Sequence, residues 1–152
     1  MHIDDIDRRL IRHIQSDPGR TVAALAARVG MTETTCARRL DRLRARRVIR
    51  GVQAVIDWRA LGWAVEVSLR FSLDKTDPRA FDNFIAAARA VPEVLEIQTF
   101  LGRVDVRLNV IARDMAHWQE VYRDRILTLP HITDIEALMH LGEIKSGEEV
   151  PL

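Results

Sequence analysis

The first fifty residues carry apolar positions at helical spacing. Ile6, Leu10 and Ile14 fall on one face behind a group of acids, which suits the start of a helix. The Asp-Pro-Gly sequence at 17–19 then interrupts the pattern. This spacing predicts a first helix over residues 4–16.

A second and a third helix are predicted around a tight turn. The second ends at Gly30, which can adopt the left-handed conformation, and Thr32 is a good N-cap for the third. Within the third helix, Cys36, Leu40 and Leu43 recur at i, i+4 and i+7 and therefore line one buried stripe. This arrangement predicts a helix-turn-helix.

The face of the third helix opposite to that stripe is rich in arginine. It displays Thr34, Arg38, Asp41 and Arg42, and residues 38–50 hold seven arginines against one acid. A guanidinium can make a bidentate hydrogen bond to a phosphate or to the O6 and N7 atoms of guanine, so such a helix suits a DNA major groove. A solvated charged helix would have the same composition, and the neighbouring turn is what favours DNA.

Charge is distributed unevenly along the chain. The 152 residues carry a net charge of +1 and are 47% hydrophobic, which allows one moderate core or two small ones. Residues 1–50 hold twelve arginines and six acids, a net charge of +6, whereas the remainder holds 11 bases and 16 acids, a net charge of −5. We therefore expect a basic module that binds nucleic acid and an acidic module with another role.

The hydrophobic period changes after Arg47. Residues 48–57 are β-branched or alternating, which predicts a strand or a wing beside the helices, and residues 58–62 are typical of a hinge. Clean alternation then predicts a strand over 63–73.

Two helical and three further strand patterns follow. Asp77 and Pro78 are expected to cap the first of these helices, and the last strand is expected over 132–144. The order β-α-β-β-α-β predicts a ferredoxin-like antiparallel sheet with both helices on one face. The chain is thus expected to be an α+β protein with a helix-turn-helix domain at 1–50, a linker strand or hinge at 51–62 and a ferredoxin-like domain at 63–152.

The free face of this sheet is expected to form a dimer. Leu108, Val110, Ala137 and Leu138 fall on varied registers, so that face is not plainly polar, and two such sheets often meet face to face.

Several kinds of chemistry have no support in the sequence. The five histidines include no i, i+4 pair and no cysteine cluster accompanies them, so no metal site is predicted. A Gly-rich phosphate loop, a G-x-S-x-G elbow and an H-E-x-x-H motif are all missing, so no catalytic residue is predicted. No apolar run approaches the roughly 20 residues of a membrane span, and MHIDDIDRR lacks a signal-peptide core, so a cytoplasmic protein is expected.

A succession of motifs spans nearly the whole chain. These are IDDIDRRLIRHIQSDPGRT, LAARVGMTETTCARRLDRLRARRVIRG, LG at 61–62, G-x-x-D at 102–105, RDM, LP at 129–130 and a closing EIK. In this order they resemble the Lrp/AsnC family of prokaryotic transcription regulators, also called feast/famine proteins. The resemblance implies a winged helix-turn-helix that binds double-stranded DNA, a linker strand and a ferredoxin-like regulatory domain.

The resemblance also implies which residues contact DNA. Arg38 and Arg42 are assigned to base edges or nearby phosphates, and Thr34 and Thr35 to phosphate or thymine methyl groups. Arg46, Arg47 and Arg50 are assigned to anchoring the DNA backbone. The full set implied for DNA binding is Thr32, Thr34, Thr35, Arg38, Arg39, Arg42, Arg46 and Arg47.

For the second domain, the resemblance implies a ligand-sensing and oligomerising role. Family members form homodimers, often tetramers or octamers, and bind amino acids or related metabolites between neighbouring dimers, so no other cofactor is expected. The effector region then corresponds to Gly102, Arg103, Val104 and Asp105 with Leu138, Met139 and His140. Without the family, the first group is simply a hairpin turn. The chain departs from the family pattern at Arg103, Val106, Ile135 and Ala137.

Two other functions remain open at this point. The chain also resembles the siroheme decarboxylases, enzymes of the same two-domain plan that bind a tetrapyrrole, in which case His117, His131 or His140 would serve chemistry. A basic third helix would have no role in the chemistry of such an enzyme. The other possibility is a metabolite sensor that does not bind DNA.

Overall fold

The computed structural model describes residues 3–144 and 150–151. The described residues form two compact units, the first made of the chain up to Val55 together with residues 150–151, and the second of the chain from Ile56 to residue 144. The first unit contains three helices: α1 (Asp5–Ser16), α2 (Val22–Val29) and α3 (Glu33–Ala45). The second contains β1 (Val65–Leu73), α4 (Ala80–Arg89), β2 (Val94–Thr99), β3 (Val106–Ala112), α5 (Met115–Val121) continued by a π-helical turn (Tyr122–Ile126), and β4 (Ile132–Met139).

Short-range hydrogen bonds set the ends of the first three helices. Asp4, Thr21 and Thr32 are the N-caps, and each side chain accepts a hydrogen bond from a backbone N–H three residues later. Gly30 ends α2 in the left-handed conformation, with φ at 74°. The predicted helix-turn-helix is therefore confirmed.

The core of the first unit is small. Leu10 of α1 packs with residues of α2 and with the Cys36–Leu40 stripe of α3, and all of these side chains are nearly inaccessible to solvent. Ile6 and Ile14 lie partly buried against this cluster, as the α1 periodicity predicts.

The strand predicted over residues 48–57 is not formed, so that prediction is wrong. Residues 51–57 adopt neither helix nor strand, and Val52, Val55 and Ile56 are exposed, Val55 to 96%. A strand needs a neighbouring edge to satisfy its backbone groups, and no strand among residues 3–144 pairs with this segment. Residues 58–62 form turns, as expected of a hinge.

The second unit is a four-stranded antiparallel sheet in the order β2-β3-β1-β4. With helices after β1 and β3, this is the predicted ferredoxin-like arrangement. One face, which carries Val67, Leu69 and Phe71 of β1, packs against α4 and α5 to form the main core.

The other face of the sheet is largely polar, with Ile111 and Leu138 among its apolar residues, and three of the four residues that suggested a dimer through the sheets do not lie on it. Leu108 and Val110 are fully buried in the helix-side core, and Ala137 pairs with Leu69 on that same side. Only Leu138 of the four residues falls on the free face, opposite Ser68. The error arose because the register of β3 could not be read from its apolar content alone.

Two element boundaries also differ from prediction. Asp77 does not cap α4: its carboxylate accepts from the N–H of Arg79 at 2.8 Å, and the helix starts at Ala80. β4 ends at Met139 rather than near Ile144, and Lys145 of the EIK motif lies outside the described residues.

Candidate nucleic-acid interface and effector region

Helix α3 separates apolar from charged residues as its periodicity predicts. Cys36, Leu40 and Leu43 are buried, and burial raises the pKa of the Cys36 thiol, as expected for a core residue. The outward face presents Thr34, Arg38, Asp41 and Arg42, all exposed.

Two of the candidate threonines hold the start of α3. The N–H of Thr35 donates to Thr32 Oγ1 at 3.3 Å, and the Thr32 hydroxyl donates to Thr35 Oγ1 at 3.0 Å. Thr34 is exposed, and within residues 3–144 its hydroxyl makes no hydrogen bond. Of the three, Thr34 has the hydroxyl most available to a ligand.

Two arginines of α3 are bound to carboxylates of α1. Arg39 Nη1 donates to Asp4 Oδ2 at 2.7 Å and to Asp7 Oδ1 at 2.8 Å, while Arg42 Nη2 donates to Asp7 Oδ2 at 2.6 Å. Asp7 is only 1% exposed. The Arg39 hydrogen bond lowers the pKa of Asp4, and the Asp4 and Asp7 hydrogen bonds raise the pKa of Arg39. This network holds α3 against α1.

Sequence reasoning missed this network because it assigned the acids of α1 only to the helix start. One local signal was present: Asp7 lies three residues before Leu10, on the apolar face of α1. A buried carboxylate requires partners, but those partners lie 32 and 35 residues further along the chain. No periodicity identifies them.

The other arginines at and beyond α3 are less constrained. Arg38, Arg46 and Arg47 are exposed, and none forms an ion pair with a carboxylate of residues 3–144. Arg44 pairs with Asp41 at 3.3 Å, and both side chains are exposed. The surface around Arg38 and the end of α3 is therefore strongly positive, and it is free to bind an anion.

The candidate effector turn at 102–105 joins β2 to β3 and is tied to the end of β1. Asp105 Oδ2 accepts from the N–H of Leu73 at 2.9 Å, and Lys75 Nζ lies 3.4 Å from Asp105 Oδ1. Ser72 Oγ donates to the carbonyl of Arg103 at 2.8 Å. One carboxylate oxygen of Asp105 thus holds the turn in place, and the other is paired with a flexible surface lysine.

The second part of the candidate effector region, residues 138–140, lies at the end of β4, beside a different part of β1. Met139 pairs with Val67, whereas the N–H of Asp105 donates to the carbonyl of Phe71. Four residues separate these positions on β1, which corresponds to roughly 14 Å along a strand. One chain therefore does not bring the 102–105 turn and the 138–140 segment together.

A polar cluster that sequence reasoning did not identify surrounds Glu66 on the free face of the sheet. Glu66 Oε1 accepts from Asn109 Nδ2 at 2.9 Å, and Glu66 Oε2 lies 3.2 Å from Arg59 Nη2 and 3.1 Å from His140 Nδ1. Arg59 also stacks over the ring of Trp58, 4.5 Å from its centroid. The cluster anchors His140 to β1.

Within the described residues, no group of three or more His, Cys, Asp or Glu side chains could hold a metal ion. In the same part of the chain, no helix is long and apolar enough to cross a membrane.

Two family models match the chain, one in each unit. The model described as the AsnC-type helix-turn-helix domain matches residues 3–44, and the model described as the Lrp/AsnC ligand binding domain matches residues 66–150.

Curated relatives match over almost the full length. The leucine-responsive regulatory protein of Salmonella typhimurium is 26% identical over 148 residues, which cover 97% of this chain and 90% of that protein. The DNA-binding transcriptional activator DecR of Escherichia coli is 26% identical over 150 residues, which cover 99% of each chain.

Solved structures are similar over the same length. A transcriptional regulator from Neisseria meningitidis in complex with L-methionine superposes with a TM-score of 0.89 at 25% identity, covering 99% of this chain and 97% of that one. An AsnC family transcriptional regulator from Agrobacterium tumefaciens gives 0.86 at 29% identity, covering 98% and 97%. A feast or famine regulatory protein from M. tuberculosis complexed with L-methionine gives 0.86 at 25% identity, covering 98% and 99%.

Proposed function

The chain belongs to the Lrp/AsnC family of transcription regulators, and from that premise we propose that it binds specific duplex DNA through α3 and responds to an amino acid. The observation that carries the DNA assignment is the exposed guanidinium of Arg38 in the middle of the outward face of α3, which has no ion-pair partner within the described residues. Such a side chain can reach the O6/N7 edge of a guanine once the helix enters a major groove.

Each candidate DNA contact has a role in this proposal. Arg38 reads a base edge, and Thr34 contacts a thymine methyl group or a phosphate. Arg42 is bound to Asp7, but its side chain remains 41% exposed, so it reaches a nearby phosphate from a fixed position. Arg39, with 21% of its side chain exposed, mainly positions α3. The hydroxyls of Thr32 and Thr35 hold the helix start, while Arg46, Arg47 and Arg50 anchor the DNA backbone.

The proposed effector is an amino acid, because two structural relatives of this chain were solved with L-methionine. We assign it to the turn Gly102, Arg103, Val104, Asp105 and to Leu138, Met139, His140, contributed by different copies of the chain. Within one copy the two groups lie beside β1 positions roughly 14 Å apart, which supports a site that draws on two copies. Arg103 is exposed on this turn and can pair with the effector's carboxylate.

Oligomerisation is the remaining part of the proposal. We propose a homodimer that assembles further, into tetramers or octamers. Support comes from exposed apolar side chains in two segments, Val52–Ile56 of the linker and the chain after β4, where Leu141 is 99% exposed. Exposed apolar surface of this kind marks a contact with another chain.

The mechanism would be thermodynamic linkage. An effector bound between copies stabilises one assembly over another, and DNA affinity changes by the same coupling free energy. A prokaryotic regulator of this kind acts in the cytoplasm, where it meets duplex DNA.

We propose that the chain is not an enzyme. His117, His131 and His140 would serve chemistry in a decarboxylase of this plan, yet each lies beside a different carboxylate: Glu93, Asp77 and Glu66 respectively. Porphyrin titration followed by absorbance tests the point directly. Stoichiometric binding with a shift of the Soret band would support the decarboxylase hypothesis instead.

The DNA assignment is tested by fluorescence anisotropy on a duplex selected from a randomised pool and on a scrambled duplex of equal length. Arg38→Ala should cost roughly 1–3 kcal/mol on the selected duplex and little on the scrambled one. Arg46→Ala should weaken both duplexes alike, because it contacts phosphate.

Arg123→Ala in the second unit is the matched control. Arg123 is exposed and pairs only with the adjacent Asp124 within the described residues, so its loss should leave both affinities unchanged. Equal, sequence-independent losses for Arg38→Ala and Arg46→Ala would defeat the assignment. Wild-type protein that binds neither duplex would indicate a metabolite sensor without DNA binding.

The effector assignment is tested by thermal-shift screening of amino acids, beginning with L-methionine. A ligand at about 100 times its Kd stabilises the folded state by ~2.7 kcal/mol. Light scattering with and without the hit then measures assembly size. A hit whose effect survives Arg103→Ala and Asp105→Asn unchanged would exclude the proposed turn.

A further inference from the structure

The outer face of α1 carries a second group of basic side chains, separate from the outward face of α3. Arg9, Arg12 and His13 are spaced i, i+3 and i+4, so they share one side of the helix. Leu10 points to the core from the other side. Arg9 and Arg12 are exposed and His13 is half-buried.

Two arginines from outside α1 complete this group. Arg9 Nη2 donates to the carbonyl of Arg28 at 3.5 Å, which brings the end of α2 beside α1. Arg20, in the connection between α1 and α2, pairs with Asp17 at 2.9 Å. The pKa of His13 is lowered, first by burial and then by the charges of Arg20, Arg28, Arg9 and Arg12, so the positive charge of all four arginines acts on this imidazole.

We propose that this group, Arg9, Arg12, Arg20 and Arg28 around His13, is a second DNA-contacting surface that binds the phosphate backbone without regard to sequence. The proposal rests on the proposed function, since it assumes that α3 of the same unit lies in a major groove. It adds a distinct surface whose contribution is electrostatic rather than sequence-reading.

Two arginines of this cluster have no neutralising carboxylate within the described residues. Neither Arg9 nor Arg28 forms an ion pair with a carboxylate among residues 3–144 and 150–151, although both belong to a crowded positive cluster. Like charges held together raise the free energy of the isolated unit, and an incoming polyanion relieves that repulsion. Guanidinium groups suit phosphate because they offer paired donors in one plane.

The cluster also lies close in the chain to the start of α3. Arg28 is the penultimate residue of α2, and the turn through Gly30 leads from it to the start of α3 at Glu33. In a helix-turn-helix the N-terminal part of the second helix contacts base edges while the preceding helix crosses the backbone. Arg28 therefore lies beside the end of α3 that enters the groove, and Arg9 follows it through their hydrogen bond.

The salt dependence of DNA binding tests the proposal in the full-length protein. We would compare wild type with Arg9→Gln/Arg28→Gln by anisotropy on the selected and the scrambled duplex between 50 and 200 mM KCl. Each phosphate contact contributes about 0.9 to the slope of log K against log salt concentration. The double variant should therefore lower the slope by about 1.8 on both duplexes, with the ratio of their affinities unchanged.

Two further variants keep the result interpretable. Arg28→Gln alone should lower the slope by about 0.9, and it removes only one side chain if the double variant folds poorly. Arg123→Gln, in the second unit, should leave the slope unchanged because that arginine is outside the cluster. Glutamine keeps an extended polar stem, so the comparison isolates charge.

Every other outcome overturns the proposal in a recognisable way. An unchanged slope in folded variants excludes phosphate contact, and a changed affinity ratio indicates sequence reading instead. A change in assembly size by light scattering with an unchanged slope would mean that the cluster binds an acidic surface of a second copy. If wild type itself binds no duplex, the proposed function fails first, which is distinct from failure of this surface.

Discussion

Replacement of Asp7 by alanine should destabilise the first unit far more than the loss of an ordinary surface carboxylate. Removing one partner of a buried ion pair costs about 3–5 kcal/mol, because the remaining charge loses its partner away from water. Here the remaining charges are Arg39 and Arg42, whose side chains are 21% and 41% exposed and can regain water. We therefore discount the cost to about 2–3 kcal/mol.

The control is Asp41→Ala, which breaks the exposed pair with Arg44. Both side chains are well exposed, at 75% for Asp41 and 59% for Arg44, so the expected cost is about 0–1 kcal/mol. The two changes remove the same chemical group from the same helical unit, and they differ in the burial of the carboxylate.

Thermal unfolding followed by circular dichroism at 222 nm measures the difference in stability between Asp7→Ala and Asp41→Ala. The three tryptophans of the chain lie at 58, 63 and 118, outside the first unit, so fluorescence would report the other unit. A loss of 2–3 kcal/mol in a domain of this size should lower the midpoint of the first transition by roughly 8–24 °C. If Asp7→Ala melts within 2 °C of Asp41→Ala, the Asp7 network does not hold the unit together.

Three smaller changes probe the same unit. Asp4→Asn should reduce the loss of stability at acid pH, measured as the urea midpoint against pH. Folding lowers the pKa of Asp4, so its stabilisation is lost as pH falls from the ordinary value of 3.8 through the folded value. A wild-type profile between pH 5 and 2 would refute this. His13→Gln should reduce the fall in melting temperature between pH 8 and 5.5. Burial and nearby arginines lower the pKa of His13 in the folded state, so the unfolded chain takes up the proton first and is favoured as pH falls. A larger fall in the variant would contradict this. Gly30→Ala should cost about 1 kcal/mol in urea unfolding, because φ is 74° there, and a neutral result would show that the turn relaxes.

Local chemistry explains what the sequence predicted correctly. Gly30 and Thr32 act through their own backbone and through residues within one helical turn, so the start of α3 was predictable. The alternation of β1 was equally clear, because every second side chain from Val67 to Leu73 is buried.

What the sequence did not reveal depends on partners distant in the chain. The buried Asp7 needs arginines more than thirty residues away, and no helical period encodes that pairing. The linker at 51–57 has strand-like composition, yet a strand forms only beside another edge. The polarity of the free sheet face followed from the register of Leu108 and Val110, which composition does not fix.

The candidate site residues also fall into two groups, those that local geometry predicts and those that it does not. The outward face of α3 was predicted residue by residue, because helical geometry alone places Arg38 and Thr34 there. The effector region was implied by family resemblance, and within one chain its two parts lie beside different positions of β1.

Protection of guanine N7 from methylation tests most directly whether α3 lies in a major groove, since N7 is exposed in that groove alone. A bound dimer should protect guanines in two half-sites about 10–10.5 base pairs apart, or a multiple of that spacing, and Arg38→Ala should lose protection at one guanine of each half-site. Bound protein that leaves every N7 reactive, or Arg38→Ala with the wild-type pattern, would contradict the assignment.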